Sequence, residues 1–196
     1  MLEKSIMTNQ VKQDMQNLVQ QNMSKDENGN DVLTESGANN IASNSLRTLW
    51  SSICSYISQN TTITASWIAT NPSSGVPDPI VTVTGKLNAI EGHGLQQAPL
   101  KPCKDAVSAL SILSGQMNLL MMTWMISWDD PTLQVSPVNL INPGIILTPV
   151  GANGDGLEDI CEKIINSVKN IANYTPGFTG THTVVFTGTG SLTEIS

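Results

Sequence analysis

The chain reads as an α+β protein, with helices covering small antiparallel sheets and two related halves in tandem. Three observations predict this. The first is a strand-like stretch, Asp78-Pro-Ile-Val-Thr-Val-Thr-Gly-Lys-Leu87, rich in β-branched residues, with proline at its entry and glycine near its exit. The second is its echo: Val81-Thr-Val-Thr-Gly-Lys-Leu87 aligns with Phe186-Thr-Gly-Thr-Gly-Ser-Leu192, four of the seven positions being identical. The third is a helical echo upstream of each strand, Ile53-Cys54-x-x-Ile57 against Ile160-Cys161-x-x-Ile164. The two echoes are separated by nearly equal lengths of chain, a difference that one small loop change absorbs. The expected division is an N-terminal amphipathic helix at 1–24, a first α+β half at 36–95 and a second at 103–196.

Residues 5–23 have a helical stripe of Met7, Val11, Met15, Leu18 and Asn22, widened by Val19. So thin a stripe serves either to cover its own domain or to dock on a neighbour. The polar stretch Ser24 to Asp31 alternates Asp26, Asn28 and Asn30 in the manner of a calcium loop. Its glycine stands fourth where an EF-hand requires sixth, and the twelfth-place glutamate is missing, so a turn is expected. A second helix is predicted over 38–59, capped by Ser36, Asn39 or Asn40, with Ile41, Leu46, Leu49, Trp50, Ile53 and Ile57 on its apolar face. Thr61 to Ala69 alternates Ile63, Ala65 and Trp67 against Thr and Ser, which predicts a strand paired as a hairpin with 79–87. Glu91-Gly-His-Gly94, Pro99 and Pro102 make a connector between the halves.

Ala106 to Trp128 runs twenty-three residues without a charge. As one helix it is about 34 Å long, enough to cross a bilayer. Ser108, Ser111, Gly115 and Asn118, with Ser114 and Gln116 beside them, form a small polar stripe opposite Leu110, Leu113, Met117, Leu120, Met121 and Trp124. Two faces suit a protein interior or subunit interface better than lipid. Asp129-Asp130-Pro131 ends it. Residues 132–150 are extended, with a short edge strand expected at Gly144 to Thr148. Asp155, with Glu158 three residues on, is expected to cap a helix over 156–173 whose inner face is Leu157, Ile160, Cys161, Ile164, Ile165, Val168 and Ile171. Thr175 to Thr181 reads as a turn. Thr183 to Leu192 reads as a last strand, rich in Thr and Gly and suited to lie against a neighbouring sheet edge.

The formal net charge is −7, and only 13% of residues are charged against about 25% in ordinary domains. An acidic chain without clustered cations lacks the footprint for gripping a phosphate backbone, so no direct nucleic-acid partner is expected. A surface of hydroxyls and amides is explained by partners that cover it. The three cysteines, Cys54, Cys103 and Cys161, form no C-x-x-C pair and predict neither a disulfide framework nor a zinc site. The first ten residues lack the apolar run of a signal peptide, which predicts folding in a reducing cytoplasm. His93 and His182 are the only histidines, and neither has a nucleophile or carboxylate at a recognisable motif spacing. Gly188 and Gly190 mark a bulge or a close backbone approach. No enzyme, cofactor or metal is expected.

The Thr-Gly strands Val81 to Leu87 and Val184 to Leu192, set in a body rich in Asn, Ser and Thr and poor in charge, resemble the small structural proteins of tailed-bacteriophage virions. The resemblance covers the whole chain diffusely. It implies a non-enzymatic subunit of a tail, baseplate, neck or capsid, made in the host cytoplasm, with copies of itself and neighbouring structural proteins as partners. An internal duplication would let a ring of such subunits match a neighbour of twice its symmetry. The expected interface residues are Met7, Val11, Met15, Leu18, Met121, Trp124, Met125, Trp128, Val184 and Phe186. Two other readings stand beside this one. One is a small-ligand binding protein or enzyme with a site between the halves, signalled by a polar cavity with convergent groups such as His93 near Asp129 or Asp130. The other is a membrane-associated protein spanning at 106–128.

Overall fold

The computed structural model describes residues 1–89, 106–147 and 156–196. His93, Cys103, the connector around Glu91 to Pro102, Thr148 and Asp155 lie outside the described residues, as do the side chains of 106–110 and 112.

The fold is α+β, with four helices among the described residues and a nearly closed six-stranded antiparallel sheet. Helix α1 (Lys4–Gln21) buries Met7 and Val11 against α2 (Glu35–Asn60) and α4 (Leu157–Tyr174), while Met15 and Leu18 are only half-buried. Two short strands, β1 (Ser24–Lys25) and β2 (Asp31–Val32), close the polar loop as a ribbon. Asp26 accepts the backbone N–H groups of Asn28 and Asn30, each at 2.8 Å, so its carboxylate serves the turn. These bonds, led by the Asn30 N–H, hold the Asp26 carboxyl below the usual carboxylate range.

Helix α2 starts earlier than its polar cluster predicts. Thr34, extended, accepts the Gly37 N–H at 3.1 Å and is the cap in place of Ser36, Asn39 or Asn40. Gly37 is required there, because a Cβ would strike the Asn22 carbonyl. Trp50, Ile53 and Ile57 are buried as expected, and Trp50 stacks on Trp124 at 5.9 Å.

Strands β3 (Ile63–Thr70) and β4 (Thr82–Asn88) form the expected hairpin, with Ile63, Ala65, Trp67 and Ala69 facing inward opposite Val83 and Leu87. β4 begins three residues later than predicted, because the Asp78 carboxylate takes the Ile80 N–H at 3.0 Å and bends the chain before the ladder starts.

The long uncharged segment is not one helix. Helix α3 (Ala106–Met121) stops, and β5 (Met125–Trp128) follows it. Met125, Ile126, Ser127 and Trp128 alternate in exposure, the period of a strand, and Thr123 turns its hydroxyl back onto the Leu120 carbonyl at 2.7 Å. Sixteen residues of helix reach about 24 Å, short of a bilayer core of about 30 Å. Among the described residues no helix is long and apolar enough to cross a membrane.

The expected edge strand at Gly144 to Thr148 is absent among its described residues; the strand of this region is β6 (Leu133–Val135). Ile145 is instead held by side chains of α3. Its N–H donates to Asn118 Oδ1 at 2.7 Å, and its carbonyl accepts from Asn118 Nδ2 at 3.0 Å and from the Ser114 hydroxyl. Asn142 extends this network to Ser167 of α4 at 2.6 Å. The polar stripe of α3 thus supplies what a ladder would have supplied.

Gly156, at the start of α4, donates its N–H to Asp159 at 3.1 Å, so the reciprocal acid stands one residue beyond the predicted Glu158. The inner face Ile160, Cys161, Ile164, Ile165, Val168 and Ile171 is buried as read, and burial pushes the Cys161 thiol up. The predicted turn at Thr175 to Thr181 contains a strand, β7 (Phe178–His182), and the reversal comes later, at Thr183 and Val184, both with positive φ. Without glycine or asparagine at the reversal, no turn signal marks it in the sequence.

Strand β8 (Phe186–Ile195) is not an edge. The sheet order β5-β4-β3-β8-β7-β6 places it between β3 and β7, paired along both sides. Gly188 and Gly190 permit this, since a Cβ would meet Ile68 and Ala69 at the first and the Phe178 ring at the second. Strands of residues 36–95 and 103–196 therefore share one sheet. Inside its curve, Phe178 packs against both Trp67 and Trp128, with ring centroids 6.2 and 5.0 Å apart.

Candidate functional site

Strand direction gives the molecule two ends. β3 runs into β4, β5 into β6 and β7 into β8 at one end; α2, α3 and α4 feed β3, β5 and β7 from the other. We call these the loop end and the helix end.

Three side chains stitch the loop end together. Asp78 comes from the β3–β4 connection, Asp130 from the β5–β6 connection and His182 from the last position of β7. His182 Nδ1 lies 2.8 Å from Asp78 Oδ2, and Nε2 lies 3.3 Å from Asp130 Oδ2. Asp78 is 5% exposed and also accepts the Trp67 indole N–H at 2.9 Å. Burial alone would push its carboxyl up. The Ile80 N–H, the Trp67 indole and His182 outweigh burial and hold it below the usual range. The Asp130 carboxyl is held down by the Thr132 hydroxyl and N–H, and further by His182. The Thr183 N–H donates to the Thr132 carbonyl at 3.1 Å, a second tie between the β7–β8 turn and the β5–β6 connection.

The chemistry of this cluster is cohesion. The two carboxylates face opposite nitrogens of one ring, so they cannot converge with it on one ion, and among the described residues no group of three or more His, Cys, Asp or Glu could hold a metal. Among the described residues the partner of Asp130 is His182; His93, which the sequence suggested, lies outside them. Asp129 is occupied separately, accepting the Thr84 hydroxyl at 2.7 Å. Residues 104 apart along the chain make the Asp78–His182 contact, and no local pattern announces it.

Around this cluster, exposed aliphatic side chains stand among the exposed Ser, Thr and Pro residues of the same connections. Ile68, Val76, Val81, Val184 and Val185 are all exposed at or near the loop end, Val184 at 79%. One of these was open to sequence reading: Ile68 falls on the outward parity of β3 with Thr64, Ser66 and Thr70, out of phase with Ile63, Ala65 and Trp67. A second exposed apolar group lies at the helix end, where Leu119 and Met122 of α3 and its exit lead to Met125, which pairs with Asn88 at the end of β4. The segment pinned to Asn118 adds Ile141 and Ile146.

Of the ten interface residues expected from sequence, Val184 and Met125 stand in these two exposed groups. Met7, Val11, Met121 and Trp124 are in the core of the chain itself, Met15, Trp128 and Phe186 are half-buried against it, and Leu18 is half-buried between α1 and α2. No protein-family model, curated protein or solved structure matches this chain.

Proposed function

We propose that the chain is a non-enzymatic structural subunit of a symmetric assembly, and, from the style of its Thr-Gly strands, a component of a tailed-phage virion. The observation that carries this reading is the pair of exposed aliphatic groups, one at each end of the sheet. Exposed apolar side chains gathered at one end of a sheet suit contact with a partner, and a low-charge surface does little to keep copies apart. The two groups differ in composition, β-branched at the loop end and Met/Leu at the helix end. Contact between unlike surfaces is head-to-tail and builds rings when it closes and tubes when it does not. The tandem order α2-β3-β4 and α4-β7-β8, with both hairpins following in the same sense around the sheet, supports reading the two halves as a duplication.

Light scattering of the purified chain over a concentration series tests the proposal. The expected mass rises to a discrete multiple of 20.9 kDa or grows without limit. Val184→Asp and Met122→Asp, both at exposed positions, each reduce it to the monomer; mixed together, they pair through their remaining intact ends as a one-to-one dimer. A monomer at every concentration, or variants that assemble as the parent does, overturns the reading.

A further inference from the structure

A cavity of about 660 Å³ opens between α1 and α2, lined on one side by Asp14, Asn17 and Gln21 and on the other by Arg47, Thr48 and Ser52. We infer that this groove binds an extended peptide segment of a partner chain, which places one carboxylate on Arg47. The inference goes beyond the assembly reading, since it uses neither aliphatic end.

Lining positions recur every three or four residues on both helices, from 14 to 22 on α1 and from 44 to 55 on α2, so each helix gives one continuous face. Three turns of α2 span about 16 Å, the length of about five extended residues. The lining is almost wholly amide and hydroxyl, with Leu18 as its aliphatic member. A docking helix arrives with its backbone already paired and needs an apolar counter-face, which this groove lacks. An extended backbone arrives with N–H and C=O groups unpaired, and Asn17, Gln21 and Thr48 offer both donors and acceptors. Drug-like ligands favour mainly apolar pockets, and a nucleic acid needs a row of cations where this groove has one.

Two side chains in the groove point to the occupant. The Ser52 hydroxyl is buried, with the residue 4% exposed, and has no hydrogen-bond partner. A buried hydroxyl left unpaired is costly; its oxygen is turned away from solvent, and a turn of the side chain toward a peptide carbonyl on the groove floor relieves it. Arg47 is the only arginine of the chain, is exposed, and has no hydrogen-bond or ion-pair partner among the described residues. Its planar fork matches a carboxylate. Asp14 on the opposite wall repels a second acid and so sets the direction in which the peptide lies.

The test is fluorescence anisotropy with the full chain and labelled pentapeptide mixtures in which the central residue is fixed as aspartate or as asparagine and the flanking positions are randomised. The aspartate mixture is expected to bind at least about tenfold more tightly, the worth of one charge-assisted hydrogen bond. Arg47→Met, at an exposed position, is expected to erase that preference, and Ser52→Ala to weaken both mixtures by about threefold while keeping it. Equal binding of the two mixtures, full competition by acetate alone, or an unchanged preference in Arg47→Met overturns the inference. An unchanged affinity in Ser52→Ala overturns it as well.

Discussion

Two tryptophans inside the same curved sheet carry opposite obligations. The indole N–H of Trp67 ends on a buried carboxylate, whereas that of Trp128 is buried without a partner. Trp67→Phe therefore removes a donor from Asp78 and is expected to cost about 2–3 kcal/mol, while Trp128→Phe is expected to cost about 1 kcal/mol or less. Urea denaturation of the two variants side by side measures the difference, and equal losses would refute the assignment. The carboxylates next to them make stability depend on acid, Asp78 through the Ile80 N–H, the Trp67 indole and His182, and Asp130 through Thr132 and then His182. Asp78 and Asp130 have folded-state carboxyl pKa values below their unfolded ones, so their stabilisation is present above about pH 4 and is lost as pH falls through the depressed values. His182→Gln reduces that depression. It is expected to lower stability by about 2 kcal/mol at pH 7, mostly through buried Asp78, and by clearly less at pH 3. A parent-to-variant gap that stays constant between the two pH values would contradict this.

At the scale of elements, the turn between β7 and β8 is the costly one. Thr183 and Val184 sit at φ 52° and 63°, a region in which β-branched residues are strained by about 1–2 kcal/mol each. The strain is held in place by the Thr183 N–H on Thr132 and by the Val185 N–H on the His182 carbonyl at 3.2 Å. Replacing Thr183 and Val184 by Asn and Gly is expected to raise the melting temperature and, because it deletes the exposed valine, to weaken association; calorimetry and light scattering on one preparation read both. The same turn shows where sequence reading stopped. β3, β4, the inner face of α4 and the close approach at Gly188 and Gly190 were legible because periodicity and glycine placement are local signals. The end of α3, the strand β7 and the position of β8 were not. Helix and strand compete evenly in Met122-Thr-Trp-Met-Ile-Ser-Trp128, the reversal lacks turn residues, and an edge strand differs from a central one only in its neighbours. In the candidate site, Val184 and Met125 were read from their apolar character, whereas the Asp78–His182–Asp130 contact depends on three connections meeting in space.

The whole molecule is a six-stranded sheet packed with helices, with exposed aliphatic side chains of different kinds toward the two ends of its strands. The association proposed through such ends would be hydrophobic, so it is expected to survive rising ionic strength and to weaken on cooling, the reverse of a contact made by ion pairs. Sedimentation at low and high salt, and at 4 and 25 °C, distinguishes the two; dissociation by salt would exclude the aliphatic contact. The placement of β8 between β3 and β7 has a further effect, on the order of events during synthesis. The centre of the sheet joins residues made early to residues made late, as in the paired backbone groups of Thr62 and Ser196. Until residues 186–195 leave the ribosome, β3 has one bare side. Folding must wait for residues 186–195 to be made and then cross a long loop closure, which makes it slow and leaves the nascent chain dependent on protection from its own neighbours.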